Sequence, residues 1–160
     1  SIVPGLAMEP LQEIAPRRCP TLPGALREVL MADFTALFAG RVMAQAIQFV
    51  HPVDVLPPFS AFQGSALPYA VLLPAQLVIL GLMLRSTLAV GMGSHASIPA
   101  RGRVLAWFGA LYFAGSVLRL GIGVLVPDAA PWFRAWISGV FHLVLAYFVL
   151  VLADCHRRPS

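Results

Sequence analysis

The chain has 160 residues, of which 59% are hydrophobic and only 11% are charged, and its formal net charge is +4. A soluble domain carries about a quarter charged residues, and a small protein cannot hide such a deficit because its surface is large relative to its volume. The composition therefore excludes an ordinary soluble domain and predicts an integral membrane protein. The basic residues are all arginines scattered around apolar segments, so no nucleic-acid partner is expected.

The N-terminal segment is rich in proline up to Pro23 and lacks the apolar core of a cleaved signal peptide. The following stretch "GALREVLMADFTALFAG" has a helical pattern that leads into an apolar segment. We expect residues 1–32 to form a cytoplasmic arm ending in an interfacial helix, residues 33–154 to form the transmembrane domain, and residues 155–160 to form a short cytoplasmic tail.

Four apolar stretches are long enough to cross a membrane, which takes about 20 residues of α-helix. They cover residues 34–55, 67–88, 104–126 and 135–153, and the breaks between them are rich in proline and glycine. The sequence therefore predicts an all-α integral membrane protein, with four transmembrane helices in a bundle.

The arginines indicate how the spans are oriented, because cytoplasmic segments of membrane proteins carry an excess of basic residues. Arginines lie in the N-terminal arm, in the second loop and in the tail, whereas the first loop has none and the third has only Arg134. This pattern predicts cytoplasmic N- and C-termini, and we expect a bacterial inner (cytoplasmic) membrane. Cys19 and Cys155 then face the reducing side, so no disulfide is predicted.

The first span carries a polar stripe, formed by Arg41, Gln45, Gln48 and His51 at steps of four, three and three. Such spacing puts the side chains along one helix face, and polar groups in a membrane need partners away from lipid. The second span adds Gln76 near its middle. The stripe therefore predicts either hydrogen bonds that hold helices together or a pocket for a ligand or ion.

Polar side chains also occur in the outer halves of the last two spans. The third span has Tyr112 and Arg119, and the fourth has Ser138 and His142, with Arg119 and His142 each about 10 Å from the outer end at 1.5 Å per residue. We expect His51, Arg119 and His142 to converge there, with Tyr112 nearby. Two histidines and an arginine suit haem, and the same side chains suit a quinone or a lipid headgroup. The cluster predicts no metal site, since it lacks cysteine and has at most one carboxylate.

No nucleophile–base constellation is evident in the sequence, so we predict no catalytic residues and do not favour an enzyme. The leading hypothesis is a non-catalytic accessory or assembly subunit of a larger membrane complex, such as an electron-transfer or energy-converting one. The alternative is a haem- or quinone-binding membrane protein with an outer-leaflet pocket around His51, Arg119 and His142. A small solute transporter or channel is the third hypothesis. Expected partners are membrane lipids and other membrane subunits or further copies of the chain.

Overall fold

The computed structural model describes residues 22–62, 67–126, 128 and 130–157, and this part of the chain is helical without strands. The predicted extended arm up to residue 21 and the last three residues lie outside the described ranges. Four of the helices are long and apolar enough to cross a membrane. The protein is thus an all-helical, membrane-embedded protein.

Six helices follow each other along the chain, four long and two short. The long ones are α1 (Gly24–Val50), α3 (Tyr69–Gly91), α4 (Pro99–Leu125) and α6 (Trp136–Arg157). The short ones are α2 (Phe59–Phe62), within the α1–α3 connection, and α5 (Pro131–Arg134), within the α4–α6 connection. Because successive spans alternate in direction, both of these connections lie on one side of the membrane, which we call the first-loop side.

Proline and glycine set the helix boundaries. Proline is tolerated in the first helical turn, where its missing N–H has no intrahelical partner, and α4 begins at Pro99. The first span ends at Val50 because Pro52 disfavours a helical conformation at His51, which is extended, with φ of −137°. At the end of α3 the chain turns through Gly93, whose positive φ of 65° suits glycine.

The first helix differs most from its predicted bounds. It begins ten residues before the predicted start of the span and runs without interruption, so the helix expected to lead into the first span is the first part of α1. It also ends five residues early, which leaves His51 outside the helix. The other three spans lie within a few residues of the predicted ranges.

Helices α4 and α6 form the tightest pair, and both carry a small residue at every seventh position. The series is Gly102, Gly109, Ser116 and Gly123 on α4, and Gly139, Ala146 and Ala153 on α6. A Cβ atom added at Gly109 would lie 2.9 Å from Leu150 Cδ2, closer than packed side chains allow. Small residues let membrane helices approach closely, so this seven-residue repeat explains the pairing.

Helix α1 packs against both α3 and α6. An apolar core joins these three helices away from the first-loop side, with Met31, Phe38, Val42, Met83, Phe148, Val151 and Cys155 all buried. The Thr35 and Thr87 hydroxyls lie 3.0 Å apart and link α1 to α3. In the described residues, α3 and α4 make no extensive contact with each other, and only 11% of the apolar window of each is buried, against 33% for α1 and 39% for α6.

Candidate ligand-binding site

The polar stripe of α1 forms a buried hydrogen-bond network. Arg41 is 7% exposed and Gln45 is wholly buried, and Arg41 Nη1 donates to Gln45 Oε1 at 3.3 Å. Arg41 Nη2 donates to the Phe62 carbonyl oxygen at 3.1 Å, which ties α1 to α2. Gln76, 5% exposed, donates from Nε2 to the same Gln45 oxygen at 3.1 Å. The network therefore joins three helices around one guanidinium group.

Arginine fixes the orientation of both amides in this network. A guanidinium group only donates hydrogen bonds, so the Gln45 atom facing Arg41 must be the oxygen. The Gln76 atom that meets the same oxygen must then be the nitrogen. Among the described residues, this leaves three buried atoms of the network without a hydrogen-bond partner: the acceptor Gln76 Oε1 and the donors Arg41 Nε and Gln45 Nε2. Buried polar groups are normally paired, so the network has bonding capacity to spare.

The charge of Arg41 is also uncompensated. Within the described ranges, no carboxylate oxygen lies within 4.0 Å of its guanidinium group, and its polar partners are a neutral amide and a backbone carbonyl. The guanidinium carbon lies 5.5 Å from the centre of the Phe141 ring, a cation–π contact that contributes a modest stabilisation. A buried charge in a membrane is costly unless it has a suitable partner.

Tyr112 and His142 form a second polar pair, between α4 and α6. The Tyr112 hydroxyl lies 2.5 Å from His142 Nδ1, and the two rings meet edge to face. If the hydroxyl donates to Nδ1, the neutral imidazole carries its proton on Nε2. The pair then presents a ring N–H and a phenolic oxygen.

These polar groups line a common cavity of about 240 Å³ between α1, α2, α3, α4 and α6. Its polar lining is Arg41, Gln76, Tyr112, Ser138 and His142, and its apolar lining includes Phe38, Phe62, Leu72, Ile79, Phe141 and Leu145. Arg41, Gln76 and His142 lie about 14, 10 and 9 Å from the first-loop ends of their helices, at 1.5 Å per residue. A largely apolar cavity with a few convergent polar groups is typical of a small-molecule site. We call it the head cavity.

Two residues predicted at the pocket lie elsewhere. His51 is exposed beyond the end of α1 and does not line the head cavity. Arg119 donates from Nε and Nη2 to the Trp132 carbonyl oxygen, at 3.2 and 2.6 Å, and its guanidinium carbon lies 5.0 Å from the Trp132 ring centre. Arg119 thus fastens α4 to the α4–α6 connection. The structure brings His142 together with Tyr112 and places Arg41 and Arg119 close enough to act on His142 electrostatically, whereas His51 lies apart.

Gln48 organises the first loop. Its Nε2 lies within hydrogen-bond distance of the carbonyl oxygens of Val53, Leu56 and Pro57, at 3.2, 3.0 and 2.7 Å. Its Oε1 accepts from the Val53 backbone N–H at 2.7 Å. The proline-rich loop cannot form a helical ladder of its own, so one buried amide supplies partners for its backbone.

Sequence reasoning did not identify Phe62 and Phe141 as members of the site. Phe62 reaches Arg41 because α2 folds back towards α1, and no periodic signal marks such a four-residue helix. Phe141 precedes His142, so its position beside the cavity follows only from the pairing of α6 with α1. In the described part of the chain, no group of three or more histidine, cysteine, aspartate or glutamate side chains is placed to hold a metal ion.

Comparisons with models of protein families, with curated proteins and with solved structures find no match. The function must therefore be inferred from the chemistry of these residues and from the shape of the cavity.

Proposed function

We propose that the protein binds a membrane-soluble molecule with a quinone-like head, meaning a ring that carries oxygen atoms, in the head cavity. The observation that carries the proposal is the buried Arg41, which has an unpaired Nε donor and no carboxylate partner within the described residues, at the edge of a largely apolar cavity. A carbonyl oxygen of the oxidised ring would accept from the Arg41 guanidinium group, and a hydroxyl group of the reduced ring would donate to the Gln76 amide oxygen. The two redox states would thus use different polar side chains of the same cavity lining.

The lining favours a ring over the other ligands expected from the sequence. A phosphate headgroup has several strongly accepting oxygens and requires several donors, whereas most of the cavity wall is apolar. Haem held by His51 and His142 is disfavoured, because His51 does not line the cavity and His142 is the one histidine in its lining. A quinone ring needs only a few donors and matches the largely apolar walls.

The test is to extract the protein with its surrounding lipid and to identify co-purifying molecules by mass spectrometry. Arg41→Gln should reduce the bound quinone at least tenfold. Arg85→Gln is a matched control, since Arg85 is exposed on α3, and this variant should retain it. Equal amounts in all three proteins would contradict the proposal. A phospholipid whose retention depends on Arg41 would show that the cavity holds a headgroup and not a ring.

A second function, that of an accessory subunit of a larger membrane complex, is favoured by the small buried fraction of α3 and α4. Helices α3 and α4 leave most of their apolar residues uncovered by the rest of the chain. Lipid or a partner helix would cover them. Native mass spectrometry after gentle extraction distinguishes lipid from a protein partner. Heavy partners bound at a fixed stoichiometry would support the role of an accessory subunit. A transporter or channel gains no separate support, since Gln45 lies wholly inside the packing.

We further propose that the spans form a four-helix bundle in a bacterial inner membrane, with the first-loop side outside and both termini cytoplasmic. The supporting observation is the position of three arginines on the side opposite the first loop. Arg101 and Arg103 lie near the start of α4, and Arg157 is the last residue of α6. Single cysteines at exposed positions, in a background where Cys19 and Cys155 are serine, test this. His51→Cys should react with an impermeant maleimide in intact cells, and Ala100→Cys only after permeabilisation. The opposite pattern would reverse the orientation.

A further inference from the structure

A second, larger cavity meets the head cavity at Arg41. It is a groove of about 780 Å³ between α1 and α6, open at its surface, with walls that are mostly apolar. The two cavities share Arg41, Phe62 and Phe141 in their linings. These three side chains lie between the two spaces, and a molecule that passes them would occupy both.

The depth of the groove follows from small residues on α1. Ala36, Gly40 and Ala44 are spaced by four residues, so they lie on one helix face and form a shallow strip between larger side chains. Val140 of α6 forms part of the opposite wall, and Leu56 and Pro57 of the first loop close the end nearest the membrane surface. The groove opens along exposed parts of both helices, towards the lipid.

We propose that the ligand carries a single long hydrocarbon tail, which lies in this groove while the ring occupies the head cavity. The inference rests on the proposed function, because the head cavity fixes the end of the ligand from which the tail extends. Between Arg41 and Asp33, which also lines the groove, the helix rises about 12 Å, so the groove holds the first part of a tail and the remainder continues into lipid. The carboxylate of Asp33 disfavours a tail that ends in an anionic group.

The side chains shared by the two linings, and the apolar walls of the groove, favour a tail over other occupants. A partner helix would have to fit against the strip of small residues on α1 while avoiding the first loop at its end. The backbone groups of such a helix are already bonded within it, so they would not pair with the buried Arg41. A two-tailed phospholipid would need a second apolar channel that leads from the same head cavity. A single-tailed ligand needs only the groove that the structure provides.

The experiment compares two probes on the protein reconstituted in nanodiscs: a methyl-substituted 1,4-benzoquinone without a tail, and the same ring with a decyl tail. Gly40→Leu fills the groove and should fold normally, because a Cβ atom added at Gly40 meets nothing within 4 Å. Gly81→Leu is the matched control, an exposed glycine on α3 with equally open surroundings and no place in either lining. The quantity compared between variants is the ratio of the Kd of the tail-less ring to the Kd of the decyl probe. Partitioning of the tail into lipid is the same in every variant, so it cancels in this comparison.

In the wild type and in Gly81→Leu, the decyl probe should bind more tightly than the tail-less ring by the same factor. In Gly40→Leu that factor should fall by about tenfold (about 1.4 kcal/mol), because the added leucine side chain occupies the space of the tail, so the tail must either crowd it or leave the groove. An unchanged factor in Gly40→Leu, with ring binding still weakened by Arg41→Gln, would overturn the tail inference alone. If neither probe responds to Arg41→Gln, the proposed function fails as well.

Discussion

Replacing Gln45 with leucine tests the buried network most directly. Gln45 Oε1 accepts from both Arg41 Nη1 and Gln76 Nε2, so one substitution removes the shared acceptor of two buried donors. Leucine has a similar volume and keeps the helix propensity high. The variant therefore isolates the loss of hydrogen bonding from a change in packing.

The magnitude follows from what each donor loses. Interhelical hydrogen bonds in membranes contribute about 0.6 kcal/mol each on average, so two bonds account for about 1 kcal/mol. Stranding a buried donor costs about 1–3 kcal/mol, and more when it is charged, as Arg41 is. The substitution also removes the unpaired Gln45 Nε2, which offsets part of this cost. We expect Gln45→Leu to lower the free energy of unfolding by about 1–3 kcal/mol.

Gln76→Leu is the matched control, since it makes the same change at a glutamine that is equally buried. It removes one hydrogen bond but leaves Gln45 Oε1 bonded to Arg41, and it also removes the unpaired Gln76 oxygen. We expect a change within about 1 kcal/mol of zero, because the two effects oppose each other. Unfolding of ligand-free protein in mixed micelles, followed by circular dichroism, measures both. If Gln76→Leu destabilises as much as Gln45→Leu, the assigned amide orientations are wrong.

Three further predictions concern other contacts. Gly109→Leu should separate α4 from α6 and lower the free energy of unfolding by about 1–3 kcal/mol through overpacking. The control Gly115→Leu, where an added Cβ atom meets nothing within 4 Å, should be as stable as the wild type. Equal melting temperatures for the two variants would refute the close approach of α4 and α6. Gln48→Leu should speed hydrogen exchange at the Val53 amide, which donates to Gln48, while amides in the middle of α3 exchange unchanged; protection equal to wild type would contradict this role. Tyr112→Phe should weaken binding of the tail-less quinone about 2- to 10-fold, because it removes the hydroxyl group that bonds His142 Nδ1 and so holds the Nε2–H as a donor for a ring oxygen. Tyr147→Phe, at an exposed tyrosine, should not weaken it; the reverse order would exclude the Tyr112–His142 pair from the site.

The sequence predicts the spans well because membrane insertion depends on local properties. Hydropathy alone identifies four stretches, and the structure places a long apolar helix at each. The early end of α1 at Val50 was also readable from "HPVDVLPP", since Pro52 restricts the residue before it. Hydropathy by itself extends the span to Val55, because apolar residues continue beyond Pro52.

Which helices pair, and which polar groups meet, depends on contacts distant in sequence. The seven-residue series from Gly102 to Gly123 was visible in the sequence, yet it identifies a close contact only when a matching series on α6 is recognised. Depth along a helix placed Arg119 and His142 at one level, but depth does not determine which way a side chain faces. Arg119 turns to the Trp132 carbonyl of a short helix that has no periodic signal.

The position of the cavity follows from the two different ways in which this chain holds its helices together. On the side away from the first loop, bulky apolar residues such as Met31 and Met83 fill the space between α1 and α3. Towards the first loop, Arg41, Gln45 and Gln76 replace them, and these side chains are held by directional bonds to one another rather than by filling volume. The small residues of α4 and α6 keep that pair close together, so α4 cannot move across to close the gap beside α3. Space therefore remains beside Arg41 and Gln76, and the proposed ligand would pair with Arg41 and complete the packing there.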